Sequence, residues 1–186
     1  HKAAIQHSEC TVIDNDAFAS TKEVYSMHLA SHCFDSAGVL SYGDIIFKDY
    51  MIHECLHSKN DINIVVDASC PLNAETRDYI QASNPYSPIH FKQSEHLVAM
   101  DRTLSNDAIH GEFIGLMNWT AKGGAVIRQV LSSFSDSELA SMTMAAFLNH
   151  LSQKCPVSII YINGGWVDVN TIADLAKTMS FYAEHA

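Results

Sequence analysis

The sequence GVLSYGDIIF, Gly38 to Phe47, is the stretch around which the rest of the chain is organised. Val39 and Leu40 predict a short buried strand, and Gly43 lets the backbone turn tightly after it. Asp44 then lies at the carboxyl end of that strand, where open α/β sheets keep their ligands. The residues that follow Asp44 are apolar, so this carboxylate is not simply one polar residue of a solvent-exposed segment. Gly-Asp is also ordinary turn chemistry, so the functional weight of Asp44 depends on a second acid further along the chain.

Predicted strands and helices alternate along the rest of the sequence. Continuous apolar runs predict buried strands at Asp61 to Asp67 (DINIVVD), Gly111 to Trp119 and Val157 to Ile162 (VSIIYI). Amphipathic patterns predict helices at Thr21 to Ala30 with Ser20 as cap, Phe47 to His57, Gly123 to Ser132, Asp136 to Ser152 and Thr171 to Ala183. This alternation predicts βαβ units in one three-layer α/β/α, Rossmann-like domain over residues 1–186. The sheet is expected to be mostly parallel, with at least one reversed strand.

Two regions depart from this alternation. Residues 70–107 contain three of the four prolines, and His96 to Arg102 alternates in polarity like an antiparallel strand. We interpret residues 70–107 as an inserted, lid-like segment. Near the amino end, Thr11 to Asp14 (TVID) predicts another short β-like run.

Composition limits the classes of function. The 186 residues are 47% hydrophobic and 17% charged, which is ordinary for one globular domain with a sizeable core. The formal net charge of −10 argues against a nucleic-acid groove, because such a groove needs a basic stripe to neutralise phosphates. No apolar run is long enough to span a membrane, and no signal peptide is evident, so we expect a soluble, cytoplasmic protein with no membrane partner. The odd number of cysteines, five, favours a reduced compartment without disulfides.

One motif points to a different chemistry. His53 and His57 fit the H-E-x-x-H pattern of zinc hydrolases, in which two imidazoles stand one helical turn apart and a glutamate acts as general base. The chain has 11 histidines, so chance pairs at this spacing are expected, and no third histidine follows at the spacing of the extended motif. We expect these two residues to lie on a partly exposed helix face and to bind no zinc.

Six motifs in a fixed order carry a family resemblance. They are STKEVYSM at 20–27, SYGDIIF at 41–47, DINIVVD at 61–67, RDYI with NPYS between 77 and 87, HGEFIGL at 110–116 and GGWVDVN at 164–170. Together they resemble the nucleotidyltransferase domains that transfer a cytidylyl group to phosphocholine or to a phosphonate. The versions linked to phosphoenolpyruvate phosphomutase in phosphonate biosynthesis are the most similar. The resemblance extends over nearly the whole chain.

The resemblance implies a metal-dependent phosphoryl chemistry. An acceptor phosphate or phosphonate oxygen attacks the α-phosphorus of CTP and expels pyrophosphate, so the developing negative charge must be neutralised. Mg²⁺ prefers oxygen ligands and takes one or two protein carboxylates in such sites. The candidate catalytic acids and metal ligands are Asp44 and Asp168, because both follow apolar strands and precede a helix. Without metal, their repulsion should raise one of the two pKa values.

The resemblance also assigns residues to the two substrates. The nucleotide side is expected to be lined by Thr21, Glu23, Ser26 and Gly43. The acceptor side is expected to contain Glu112, Arg77 and Tyr86. Glu112 would suit an acceptor ammonium group such as that of aminoethylphosphonate, or it would hold the preceding loop. Asn170 would add a metal or water contact, or cap the closing helix.

The resemblance further implies that a part of the domain is absent. Such domains begin with a strand and a glycine-rich loop whose Arg and Pro-Lys residues hold the triphosphate. The sequence does not contain them, so we expect an amino-terminally truncated domain that is inactive by itself. The absent strand would leave an unpaired edge beside the strand that ends at Asp44. In relatives the domain is fused or genetically linked to phosphoenolpyruvate phosphomutase. Two other classes stay open: a zinc-dependent hydrolase and a non-catalytic nucleotide-binding domain.

Overall fold

The structure, a computed structural model, describes residues 10–72, 77–88, 95–172 and 174. Within these residues the strands are β1 (Gly38–Ser41), β2 (Ile45–Phe47), β3 (Ile62–Asp67), β4 (Tyr79–Ala82), β5 (Leu97–Met100), β6 (Gly111–Trp119), β7 (Ser158–Ile162) and β8 (Trp166–Asp168). The helices are α1 (Glu23–Leu29), α2 (Tyr50–His57), α3 (Ala121–Leu131), α4 (Asp136–Ser141) and α5 (Met144–Ser152), with a 3₁₀ helix at Ser31–Asp35. No helix in the described part is long and apolar enough to cross a membrane.

Six of the strands form the central sheet. Their order is β5-β4-β6-β3-β7. Strand β4 pairs with Gly111 and Glu112 at the start of β6, and β1 pairs with Leu116 to Trp119 at its end. Strands β1, β3, β4 and β7 run in one direction, whereas β5 and β6 run in the other. The predicted α/β class, with a sheet of mostly one direction and reversed strands, is confirmed. Because the reversed β6 lies in the middle, β3 and β7 are the parallel neighbours among the described strands.

The sheet separates two hydrophobic cores, which gives the predicted three layers. On β3 the side chains alternate: Ile64 and Val66 face the larger core, and Val65 faces the smaller one. The larger core packs the sheet against α1, α3, α4 and α5. The smaller core packs it against α2 and against the two-stranded sheet of β2 and β8. All six residues of β3 are buried, as expected for an apolar strand with a neighbour on each side.

The stretch after Asp44 differs from the prediction of a helix over Phe47 to His57. Ile45–Phe47 forms β2, which pairs antiparallel with β8, and α2 begins only at Tyr50. The partner strand lies more than 100 residues away, so the local pattern of apolar residues does not reveal the pairing. The prediction of a buried strand at Val39 and Leu40 is also wrong about burial. β1 is a short strand of half-exposed and exposed residues, because it pairs with β6 alone among the described strands.

Three helix and strand predictions are corrected elsewhere. The helix expected over Asp136 to Ser152 is two helices, because Thr143 accepts a hydrogen bond from the amide of Ala146 (3.2 Å) and starts α5 anew. Helix α1 begins at Glu23 without a side-chain cap, so Ser20 is not its cap. The TVID run at residues 11–14 lies in exposed, non-regular structure.

The segment 70–107 is integrated into the fold in its described parts. Strands β4 and β5 form an antiparallel pair that extends the central sheet beyond β6, as the alternation of residues 96–102 predicted. Residues 73–76 and 89–94 of this segment are outside the described residues. Most of the predicted closing helix, 171–183, is also outside them. The predictions of a lid-like insertion and of an absent strand beside β1 stay predictions.

Close packing at the start of α3 gives a test of the fold. A Cβ atom at Gly123 would stand 2.1 Å from the carbonyl oxygen of Asp61 and 2.8 Å from Cγ1 of Ile62. Alanine normally stabilises a helix by about 1 kcal/mol relative to glycine. Here we expect Gly123→Ala to lower the free energy of unfolding by about 1–3 kcal/mol, because the overpacked backbone must move. Urea denaturation measures this change.

Gly43→Ala is the matched control for Gly123→Ala. A Cβ atom at Gly43 would meet no atom within 4 Å, so the free energy of unfolding should change little. A Gly123→Ala variant as stable as the parent would contradict the described packing of α3 on β3.

Candidate functional site

The structure brings Asp44 and Asp168 to one place. Asp44 lies in the turn before β2, and Asp168 is the last residue of β8. Strands β2 and β8 pair so that Ile45 stands opposite Asp168, and the amide of Val169 donates to the carbonyl oxygen of Asp44 (2.8 Å). The two carboxylates, 124 positions apart in sequence, therefore meet through a short antiparallel ladder. Both side chains line the same cleft.

This main cleft has a volume of about 600 Å³ and opens beside the central sheet. Among the described residues its wall carries six acidic side chains: Asp44, Asp67, Asp78, Glu112, Asp168 and Asp174. The same residues include two basic side chains on this wall, Arg77 and Arg102. The cleft is thus strongly negative, and an anionic substrate could bind there only together with added positive charge.

The electrostatics of Asp168 reflect this excess of acids. Burial raises the pKa of Asp168, the charge of Asp44 raises it further, and a hydrogen bond from Nδ2 of Asn170 (2.7 Å) opposes the rise. The raised pKa of Asp168 therefore agrees with the expected repulsion between the two carboxylates. Because a bound cation would relieve this repulsion, Asp44 and Asp168 are candidates to hold a divalent metal ion.

The donor set fits Mg²⁺. Among the described residues no group of three or more His, Cys, Asp and Glu side chains is arranged to hold a metal ion. Asp44 and Asp168 supply two carboxylates, which is the usual protein contribution to a Mg²⁺ that takes its other ligands from phosphates and water. Asn170 donates a hydrogen bond to Asp168 and so lies beside the acid pair, while its expected roles, a metal or water contact or a cap of the closing helix, stay predictions.

Asp67 is a buried acid that sequence reasoning did not single out. It is 5% exposed and accepts four hydrogen bonds: from the amide (2.9 Å) and hydroxyl (2.6 Å) of Ser69, the amide of Gly164 (3.0 Å) and Nε1 of Trp166 (2.8 Å). Burial tends to raise the pKa of Asp67, but these donors outweigh burial and lower it. Asp67 thereby ties the end of β3 to the glycine turn that precedes β8.

That turn needs its glycines. Gly164 and Gly165 have φ values of 64° and 85°, the left-handed region that other residues rarely adopt. The turn reverses the chain after β7 so that β8 can pair with β2. The sequence pattern Gly-Gly-Trp was a signal for the turn, and the apolar run ending in Asp67 was a signal for its partner.

The predicted acceptor-side residues are only partly brought together. Arg77 and Glu112 both line the main cleft, and Nη1 of Arg77 contacts both carboxylate oxygens of Glu112. The side chain of Glu112 is 4% exposed and that of Arg77 is 33% exposed. Burial raises the pKa of Glu112, and Arg77 opposes that rise. Glu112 therefore holds Arg77, which lies before β4 and not in the loop that directly precedes Glu112, so both expected roles of Glu112 stay predictions.

Tyr86 lies apart from that pair. Its ring packs edge-on against Tyr161 with 5.6 Å between ring centroids, and the residue is 39% exposed. It does not line the main cleft, although Arg77 and Glu112 do.

The predicted nucleotide-side residues also divide into two groups. Glu23 and Gly43 line a second depression of about 490 Å³, the side hollow, together with Tyr42, Asp44, Asp78 and Arg102. Glu23 also accepts a hydrogen bond from the amide of Met144 (2.6 Å), which anchors the start of α5. Thr21 and Ser26 line neither depression, and both accept a hydrogen bond from Nδ2 of Asn15 (3.0 Å each).

Sequence reasoning missed Tyr42, Asp78 and Arg102. Tyr42 packs on β6 where Gly115, with φ of 84°, leaves no side chain, and a Cβ there would stand 2.5 Å from the tyrosine ring. Burial, followed by the charge of Glu23, raises the pKa of Tyr42 well above its usual range. Nε of Arg102 donates to Asp78 (2.8 Å) across 24 positions of sequence, a pairing that no local pattern reveals.

The histidine motif lies away from these acids. His53 and His57 are exposed on α2, as expected, with 6.3 Å between their ring centroids. Nδ1 of His57 is hydrogen-bonded to the carbonyl oxygen of His53 (2.7 Å). Neither residue lines the main cleft. The zinc-hydrolase alternative is therefore not favoured.

Comparison with known proteins supports the fold. No family model matches the sequence, and no curated protein matches it closely enough to count as a relative. The chain is similar in structure to the inositol-1-phosphate CTP transferase from T. maritima, with 16% identity, a TM-score of 0.73 and coverage of 98% of this chain and 70% of that chain.

Two further solved structures are similar. CTP:phosphocholine cytidylyltransferase from Streptococcus pneumoniae gives a TM-score of 0.63 at 11% identity, covering 96% of this chain and 72% of that chain. A UTP-bound UGPase from Acinetobacter baumannii gives a TM-score of 0.64 at 14% identity, covering 87% of this chain and 56% of that chain. At these identities the likeness establishes that the chain has the fold of nucleotidyltransferases.

Proposed function

We propose that this chain is part of a nucleotidyltransferase that transfers a nucleoside monophosphate from a nucleoside triphosphate to a phosphorylated acceptor. The observation that carries the proposal is the pair formed by Asp44 and Asp168 at the wall of the main cleft. The side hollow adjoins the cleft at Asp44, so the two depressions offer space for two substrates on either side of one carboxylate. The structural likeness to nucleotidyltransferases supports the same reaction class.

The proposed reaction is a displacement at the α-phosphorus. An oxygen of the acceptor phosphate or phosphonate forms a bond to this phosphorus, and the bond to the oxygen that bridges to the β-phosphate breaks. Pyrophosphate leaves with that electron pair. A bound Mg²⁺ would neutralise charge that develops on the phosphoryl oxygens. Asp44 and Asp168 would hold the ion, and Asn170 would keep the Asp168 carboxylate oriented through its hydrogen bond.

The proposed triphosphate is CTP, and the proposed acceptor is a phosphonate or phosphocholine. The six motifs of the sequence support CTP, as does the likeness to two structures named as CTP-using transferases. An acceptor with an ammonium group suits the cleft, whose acidic side chains outnumber its basic ones by six to two. Fusion or linkage to a phosphoenolpyruvate phosphomutase belongs to the same proposal and rests on the motifs alone.

Pyrophosphate release tests the proposal. Because the chain is expected to be inactive by itself, this assay and every kinetic comparison with it use the full-length protein. That protein is incubated with Mg²⁺ and CTP, UTP or dTTP, each with phosphocholine, 2-aminoethylphosphonate, 2-hydroxyethylphosphonate or a sugar 1-phosphate. We expect acceptor-dependent release that is fastest with CTP and an ammonium-bearing acceptor and that EDTA abolishes. Nucleotide binding without release in every combination would instead indicate a non-catalytic binding domain.

A further inference from the structure

The main cleft and the side hollow meet at a small set of shared residues. Their linings have four side chains in common, which define the junction: Tyr42, Asp44, Asp78 and Arg102. If one substrate occupies each depression, the atoms that react with each other must lie where the depressions meet. Under the proposed function, on which this inference rests, the transferred phosphoryl group therefore lies at the junction.

The two arginines of the cleft differ in what they can offer a phosphate. Arg77 already forms an ion pair with Glu112, because one of its Nη nitrogens contacts both oxygens of that buried carboxylate. Arg102 uses Nε for Asp78 (2.8 Å), and in the described residues its two Nη nitrogens make no hydrogen bond. Its side chain is 58% exposed. Arg102 thus keeps two donor groups at the junction, where Arg77 is not among the lining residues.

We infer that Arg102 is a catalytic residue whose Nη groups donate hydrogen bonds to the non-bridging oxygens of the transferred phosphoryl group. As the acceptor oxygen bonds to the α-phosphorus and pyrophosphate departs with the electrons of the broken bond, negative charge grows on these oxygens. A guanidinium is planar, always charged, and able to contact two phosphate oxygens at once. The bond from Nε to Asp78 fixes the plane of the guanidinium before the substrate arrives.

A purely structural role for Arg102 makes a different prediction. Exposed ion pairs contribute little to stability, and in the described part of the chain Asp78 is the residue to which Arg102 is hydrogen-bonded. Removing Arg102 would then leave turnover almost unchanged. A role at the reacting group instead lowers kcat more than it raises KM for the triphosphate, because the interaction is strongest in the transition state.

The test compares Arg102→Ala and Arg102→Lys with Arg128→Ala. Arg128 is the matched control, since it is also a half-exposed arginine paired with an aspartate, Asp35, and it lines neither the cleft nor the hollow. We expect Arg102→Ala to lower kcat for pyrophosphate release by about 10²- to 10³-fold, as for other single donors to a developing oxyanion. Arg102→Lys should recover part of the loss, and Arg128→Ala should behave as the parent. Equal kcat in Arg102→Ala and Arg128→Ala would overturn the inference.

A binding measurement separates this inference from the proposed function. Titration calorimetry with the unreactive α,β-methylene analogue of CTP and Mg²⁺ reports contact between Arg102 and the α-phosphoryl oxygens even if no acceptor supports turnover. We expect Arg102→Ala, but not Arg128→Ala, to weaken binding of this analogue. Unchanged binding of the analogue in Arg102→Ala would overturn the inference whatever the activity, whereas weakened binding without turnover in the parent would overturn only the proposed function. A rise in KM for the acceptor alone, without loss of kcat, would also overturn it, since it would place Arg102 on the acceptor.

Discussion

Asp44→Asn and Asp168→Asn are each expected to lower the rate of CTP-dependent pyrophosphate release by about 10²- to 10³-fold, because a bound metal supplies several kcal/mol of charge stabilisation in the transition state and each 1.36 kcal/mol is tenfold in rate. Both substitutions keep the size of the side chain and remove its charge. The loss should be in kcat, and raising the Mg²⁺ concentration should recover part of it. Steady-state kinetics over a series of Mg²⁺ concentrations measures both effects.

The stability of Asp168→Asn should change in the opposite direction from its activity. Burial and the charge of Asp44 raise the pKa of Asp168 in the folded protein, so its ionised form costs stability at neutral pH. Removing the charge should make the variant at least as stable as the parent there. The difference should shrink as the pH falls through the raised pKa, because the parent then gains stability by binding a proton. Urea denaturation at several pH values measures this.

Asp35→Asn is the matched control for these two variants. Asp35 is an exposed aspartate that pairs with Arg128 and does not line the cleft. Its substitution should leave pyrophosphate release unchanged. Near-normal turnover in both Asp44→Asn and Asp168→Asn would refute the assignment of the metal pair.

Arg77→Ala is expected to lower the free energy of unfolding by about 3 kcal/mol, the low end for breaking a buried ion pair, because Arg77 itself is 33% exposed. The substitution leaves the nearly buried carboxylate of Glu112 without its cation. Urea denaturation at neutral pH measures the loss. The loss should diminish as the pH falls, since burial already raises the pKa of Glu112 and the unpaired carboxyl would take up a proton in the folded state.

The double variant Arg77→Ala with Glu112→Gln provides the control. Removing the buried charge together with its partner should restore much of the stability lost in Arg77→Ala, since a neutral amide is far less costly to bury than an unpaired carboxylate. A double-mutant cycle gives the coupling between the two side chains. If the two single effects simply add, Arg77 and Glu112 do not form the described pair.

The sequence by itself determined the class of the fold and the positions of the main strands. The run DINIVVD is nearly continuously apolar and rich in β-branched residues, which is typical of a strand with a neighbour on each side, so it predicted β3 correctly. HGEFIGL and VSIIYI predicted β6 and β7 for the same reason. These predictions succeeded because a run of a few apolar residues is by itself enough to indicate a buried strand. The ordered motifs added the resemblance from which Asp44 and Asp168 were chosen.

Only the tertiary structure decided which side chains meet. The ladder of β2 and β8 sets Asp44 beside Asp168, whereas the sequence predicted no strand at Ile45–Phe47 and began a helix at Phe47. Arg77 with Glu112 and Arg102 with Asp78 are likewise pairs between segments that are distant in sequence. Asp67 shows the same limit: Gly164 and Trp166, which supply two of its four hydrogen-bond donors, lie 97 and 99 positions away in sequence. Hydrogen bonds and ion pairs act over a few ångströms in space, whereas sequence patterns report only what lies a few residues away, so the site could be inferred only in part before the chain was folded.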